Sequence, residues 1–196
     1  MNTSSQKPAQ LRRENLYLVI WTVIFGTALA LGGSVLEPVA VPYISITLAS
    51  PYVALMITLN KLVVFRRFSV TLMYCITAAI AVFTTYLGPP SILKPIFILA
   101  GLSFDFGTLF RTEKLKFWNI IIGHLLITVF GFLFFGINFY VMVPKSIDAV
   151  IPVLIVAAPF HFGVSVLVAA IVYKFIPPND PPDIVKAIRS QLGHRH

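Results

Sequence analysis

The chain has 196 residues, of which 58% are hydrophobic and only 11% charged, with a formal net charge of +8. A soluble domain carries about a quarter charged residues, so this composition argues against a water-soluble globular protein and reads as one membrane-embedded bundle with no second domain. The single cysteine, Cys75, rules out an intramolecular disulfide and a CxxC metal site.

A membrane-crossing helix needs about 20 mostly apolar residues. Residues 1–15 are polar and read as a cytoplasmic N-terminal tail. Six apolar runs follow within 16–176: Leu16 to Leu36, Val39 to Leu59, Phe68 to Leu87, Ile92 to Phe110, Phe117 to Val143 and Ala149 to Tyr173. The first reads as a spanning helix rather than a cleaved signal, because no soluble domain follows a small-residue cleavage site. Helices are expected because lipid offers no partner to free backbone groups, and the period-two alternation of a barrel strand is missing. The connections are short and rich in Gly and Pro. The predicted fold is therefore all-α: a polytopic membrane protein with six transmembrane helices in one bundle.

The tail, 177–196, changes character. After Pro177-Pro178-Asn179-Asp180-Pro181-Pro182, Asp180 suits a helix N-cap with Pro181 at the first helical position. Ile184, Ile188 and Leu192 then share a helical face, which predicts a short amphipathic helix on the membrane surface; a frayed, solvated tail is the alternative.

Basic residues segregate under this assignment. Lys7, Arg12, Arg13, Lys61, Arg66, Arg67, Arg111, Lys114, Lys116, Lys174, Lys186, Arg189 and Arg195 fall on one side, and only Lys94 and Lys145 on the other. The positive-inside rule places both termini in the cytoplasm. The net positive charge is thus a matter of orientation in the cell membrane, and no nucleic-acid partner is implied.

Polar groups at membrane depth are costly and are functional candidates. In the first run Gly26, Ala28, Ala30, Gly32 and Ser34 form overlapping small-xxx-small pairs, which let another helix approach closely. That helix is either a neighbour in the bundle or a partner protein. Glu37 at the outer end of the first run and Lys94 after a Gly-Pro-Pro turn are candidates for an outer site; Lys94 can alternatively pair with Glu37 or extend outward. Asp105 and His124 fall at similar depths on consecutive helices. They are expected to form a hydrogen-bonded pair that fixes register, with a proton relay as the other reading. His161, between Phe160 and Phe162 and beside Pro159, suits a flat heteroaromatic ligand or a satisfied core position. Asn138 and Tyr86 sit at compatible outer levels. The candidate substrate set is Glu37, Tyr86, Lys94, Asn138 and His161. No HExxH, P-loop or GxSxG motif and no Cys/His cluster is present, so the chain reads as a non-enzyme that binds no cofactor or metal.

The length, the six runs, the basic face, the small-residue pattern from Gly26 to Ser34, and the stretches Gly88-Pro89-Pro90-Ser91-Ile92-Leu93-Lys94-Pro95 and Gly101-Leu102-Ser103-Phe104-Asp105 together resemble the membrane-embedded substrate-binding subunit (S-component) of energy-coupling-factor vitamin importers. The small-residue pattern is a degenerate form of that family's Ala-xxx-Ala motif. The resemblance implies capture of a vitamin or precursor, such as a thiamine-related heterocycle, from outside. It further implies docking through Gly26, Ala28, Ala30 and Gly32 onto a transmembrane coupling protein, with ATP used by partner ATPase subunits. Two other readings are a proton-linked secondary transporter using Asp105 and His124, and a non-transporting membrane scaffold.

Overall fold

The computed structural model describes residues 6–36, 42–84, 86, 92–109, 115–142 and 147–193, without the side chains of 6–8, 42–48, 138–139, 142, 147, 149–150 and 153. Among the described residues the chain is all-helical. The helices are α1 (Gln6–Leu36), α2 (Pro42–Val64), α3 (Ser69–Ala81), α4 (Ile98–Leu109), α5 (Phe117–Met142), α6 (Ile147–Phe175) and α7 (Asp183–Gln191), with a 3-10 turn, Lys94–Phe97, leading into α4. Three stretches within them are long and apolar enough to cross a membrane: Ala9–Leu36, Phe117–Ile137 and Leu154–Phe175. Ala49–Val64 and Ser69–Ala81 are shorter apolar helices.

Packing neighbours close α1 to α6 into a ring in the order α1, α3, α4, α5, α6, α2. Small residues set the closest approaches. A Cβ on Gly26 would stand 2.6 Å from Ile76 Cβ and 2.8 Å from the Met73 carbonyl oxygen, so α1 and α3 meet at a separation that only glycine allows. Gly107 and Gly123 do the same for α4 against α5, where an added Cβ on Gly107 would lie 2.8 Å from the Gly123 backbone. An apolar core that includes Leu29, Ile57, Met73, Phe97, Phe104 and Ile120 fills much of the interior.

The structure differs from the sequence expectation in three respects. Helix α1 starts at Gln6, so part of the predicted N-terminal tail is helical. The third and fourth apolar runs do not form full-length α-helices: α3 ends at Ala81, and α4 proper starts at Ile98. The reason lies in Lys94. Its ammonium is buried and donates to the carbonyls of Ala81 (2.9 Å), Thr84 (2.7 Å) and Tyr86 (2.6 Å). Terminal helix carbonyls lack intrahelical donors and carry the negative end of the helix dipole. A lysine supplied from the next segment adds a charged donor to the Ala81 carbonyl, which also accepts the Thr84 amide, and ties it to the carbonyls of the turn where the helix stops.

The third difference is α7. The helix begins at Asp183, following Pro182, and not at Pro181. Its buried side is Val185, Arg189 and Leu192, while Ile184 is 73% exposed. It packs on the end of the ring, against α1 and α2. Arg189 donates to the Leu62 carbonyl (2.6 Å) and the Pro178 carbonyl (2.7 Å), and its guanidinium lies 4.3 Å from the Phe65 ring centre. Phe65 closes α2 with φ of 53°, the left-handed conformation that often ends a helix. Burial lowers the Arg189 pKa to about 10, still well above neutrality. In return Arg66 donates to the Leu192 carbonyl.

Replacing Lys94 with Met would keep the apolar stem and leave three carbonyls without their shared donor. Thermal unfolding in detergent should show Lys94→Met destabilised by about 3 kcal/mol, reflecting the cost of unsatisfied buried polar groups. An unchanged melting temperature would contradict this capping role.

Candidate functional site

Helix α2 organises the polar interior. Ser50, Thr58 and Lys61 are separated by eight and three residues, which places them on one side of a helix over about 16 Å. Each takes a partner from a different helix. Ser50 Oγ lies 2.8 Å from His161 Nδ1 on α6. Thr58 Oγ1 lies 2.9 Å from His124 Nε2 on α5. Lys61 Nζ donates to Asp105 Oδ1 on α4 at 2.8 Å. Since α1 and α6 flank α2 in the ring, the last two contacts cross its interior.

The expected Asp105–His124 pair is not formed. Asp105 Oδ1 takes Lys61, and Oδ2 accepts both the Thr71 amide and the Thr71 hydroxyl at 2.7 Å each. Thr71 sits in the first turn of α3, whose amides lack intrahelical acceptors. A carboxylate there meets donors and the positive end of the helix dipole, and that combination outcompetes a neutral imidazole. His124 is fully buried, with the Phe104 ring edge-on at 5.1 Å and no partner for Nδ1 among the described residues. Lys61 also donates to the Arg66 and Arg67 carbonyls at 3.1 Å, tying the α2–α3 turn to the same cluster.

The small-residue stripe of α1 is used inside the bundle. Ala30 is fully buried, and Thr77 Oγ1 donates to the Gly26 carbonyl at 3.1 Å. The Tyr52 hydroxyl donates to the Ala28 carbonyl, and its ring fills the space that a Cβ on Gly32 would take. The Tyr86 ring lies equally close over Gly33. Gly26, Ala28, Ala30 and Gly32 therefore do not form a free docking face. The face that α1 leaves exposed carries Leu16, Val19, Val23, Ile24, Leu31 and Val35.

Of the outer candidates, Tyr86 and Lys94 come together, since Lys94 donates to the Tyr86 carbonyl, but both are buried and neither forms an open rim. Glu37 and the Asn138 side chain lie outside the described residues. His161 is half-buried in the middle of α6, with Phe132 at 5.6 Å between ring centres in an edge contact. Ser50 is 14 residues from Val64, about 21 Å from the end of the ring that holds the Lys61–Asp105 pair. Ser50, Phe132 and His161 thus form a polar–aromatic group well away from that end. Among the described residues no set of His, Cys, Asp and Glu is arranged to hold a metal ion.

Sequence reasoning missed Ser50, Thr58 and Phe132, and treated Lys61 as a loop residue. The polar spacing along α2 was the available signal for the first two and for Lys61. Comparison with known proteins identifies no matching family model, curated protein or solved structure.

A double-mutant cycle separates pairing from capping at Asp105. Asp105→Leu should cost about 3–5 kcal/mol because it leaves a buried ammonium without its counter-charge. Adding Lys61→Met should recover part of that loss, so the double variant unfolds at a higher temperature than Asp105→Leu alone. Strict additivity would mean that the two charges do not stabilise each other.

Proposed function

We propose that this chain is the substrate-capturing membrane subunit of an ATP-driven importer of the energy-coupling-factor type. In this reading it crosses the membrane six times with both termini inside. The ligand is a vitamin-sized, flat heterocycle taken from outside. Energy comes from ATP used by partner ATPases through a transmembrane coupling protein.

The observation that carries the reading is the state of His161. Lys61, Lys94 and Asp105 are consumed by structural hydrogen bonds, so they have little left to offer a ligand. His161 differs: Ser50 holds Nδ1, Phe132 stands against the ring, and Nε2 has no hydrogen-bond partner among the described residues. A half-buried imidazole with one oriented nitrogen beside an aromatic edge suits a planar ligand that offers one hydrogen bond and a π-face. Of the other residues proposed from the sequence, Asn138 on α5 and Glu37 stay in the set, whereas Tyr86 and Lys94 are buried in the cap of α3.

The gathering of ends supports the alternating topology. Glu14 of α1, the C-terminal end of α2, the N-terminal end of α3, the C-terminal end of α4 and the helix that follows α6 share one hydrogen-bonded and ion-paired cluster around Arg66, Lys61 and Arg189. That end also carries the exposed Arg12, Arg13, Arg67 and Lys174. In this reading the coupling protein engages a surface other than the Gly26–Gly32 stripe, which packs within the bundle.

Two measurements test this reading. Mass spectrometry of small molecules released from the purified chain should find a heterocycle, and His161→Ala and Ser50→Ala should each lower its retention by roughly five- to hundred-fold, as expected for a lost hydrogen bond of about 1–3 kcal/mol. In liposomes the chain alone should bind and not accumulate that compound. Accumulation by the chain alone under a proton gradient, abolished by Asp105→Asn, would replace the importer reading with a proton-linked carrier.

A further inference from the structure

The N-terminal part of α1 shows a separation of charge that neither ring packing nor the proposed ligand site uses. Gln6–Leu36 is one continuous helix, so the polar residues before Leu16 share its periodicity. Arg12 and Arg13 fall on the same side as Leu16, Val19, Ile20 and Val23 by three- and four-residue spacing. All six side chains are exposed, with Leu16 and Val19 each 58% accessible. Ala9, Arg12, Arg13, Asn15, Leu16 and Val19 line one open groove on this side.

Glu14 points the other way. Its carboxylate accepts from Gln10 (3.1 Å), lies 3.8 Å from Arg66, and sits against Gly193. The carboxylate nearest in sequence is thus turned inward, and among the described residues neither Arg12 nor Arg13 has an ion-pair partner. The apolar stripe above them, from Leu16 to Val35, covers about 28 Å, close to the thickness of a hydrocarbon core. Arg12 then lies one turn beyond its edge, at the level of lipid headgroups.

We propose that this face of α1 is a binding site for an anionic phospholipid of the leaflet at the basic end. Arg12 and Arg13 hold the headgroup phosphate, and an acyl chain lies along Leu16 and Val19. The charge fits an anion, and the adjoining stripe fits a chain that is continuous with it. A phosphate without a chain would gain nothing from the apolar part, and a water-soluble acidic protein would not reach it. The inference rests on the membrane-spanning reading of α1.

The test uses the full chain in nanodiscs of phosphatidylcholine, with and without phosphatidylglycerol. Native mass spectrometry counts the phosphatidylglycerol that remains after release, and thermal unfolding is followed in parallel. Wild type should retain phosphatidylglycerol and melt higher in its presence. Arg12→Gln with Arg13→Gln should weaken retention about tenfold or more, given the attraction of each basic residue to an anionic surface. Arg67→Gln, an exposed charge at the same end, should not. Equal losses from both variants would indicate general charge attraction and overturn the site, as would retention that ignores Arg12 and Arg13. Failure of wild type to enter nanodiscs would overturn the membrane reading together with this inference, whereas normal insertion with no dependence on the two arginines overturns the inference alone.

Discussion

Helix α3 is held at both ends by opposite charges from the segment that follows it. Asp105 receives the Thr71 amide and hydroxyl at its start, and Lys94 gathers the Ala81, Thr84 and Tyr86 carbonyls at its end. Each charge faces the matching pole of the helix dipole and bonds backbone groups at or just beyond that end. In an apolar bundle these groups have no water to fall back on, so each end must find a partner within the protein. Because Lys94 and Asp105 are eleven residues apart in one segment, the caps also fix the register of α4 against α3.

The second constraint follows from the first. A carboxylate buried at the start of α3 needs a counter-charge, and Lys61 supplies it from across the ring. That draws the end of α2 toward α4 and sets the α2–α3 turn, whose Arg66 and Arg67 carbonyls also accept from Lys61. The positive-φ Phe65 in that turn then presents its ring to Arg189 of α7. One buried ion pair therefore links the bundle interior to the docking of the C-terminal helix. Intrinsic helix stability alone would not select this arrangement, since the apolar packing around it is non-directional.

The all-helical class, most helix positions and the basic end were legible in the sequence, because apolar run length and the placement of Lys and Arg are read residue by residue. The ends of the third and fourth runs were not. Hydropathy continues through Val82 and Phe83, and the decision to stop α3 at Ala81 comes from a lysine more than ten residues away. The Asp105–His124 pairing failed for a similar reason. A similar position along two helices says nothing about which way a side chain turns, and the amides at the start of α3 are the stronger partner. The stripe from Gly26 to Gly32 signalled a close helix approach; Ile76 at Gly26 and Tyr52 at Gly32 show that the approaching groups belong to this chain. His161 was legible as a polar group at depth, whereas its partner Ser50 was hidden in an unremarkable stretch of α2.

With Lys61, Lys94 and Asp105 held in structural contacts, the proposed ligand site rests on His161, Ser50 and Phe132. That assignment depends on the two caps of α3, and amide hydrogen exchange along α3 examines them most directly. The account predicts that Asp105→Ala speeds exchange in the first turn, around Ser69 to Thr71, that Lys94→Met speeds it in the last turns, around Ala78 to Ala81, and that α5 keeps its wild-type protection in both. Wild-type protection throughout α3 in both variants would contradict it, and would return Lys94 and Asp105 to the pool of residues free to serve a ligand.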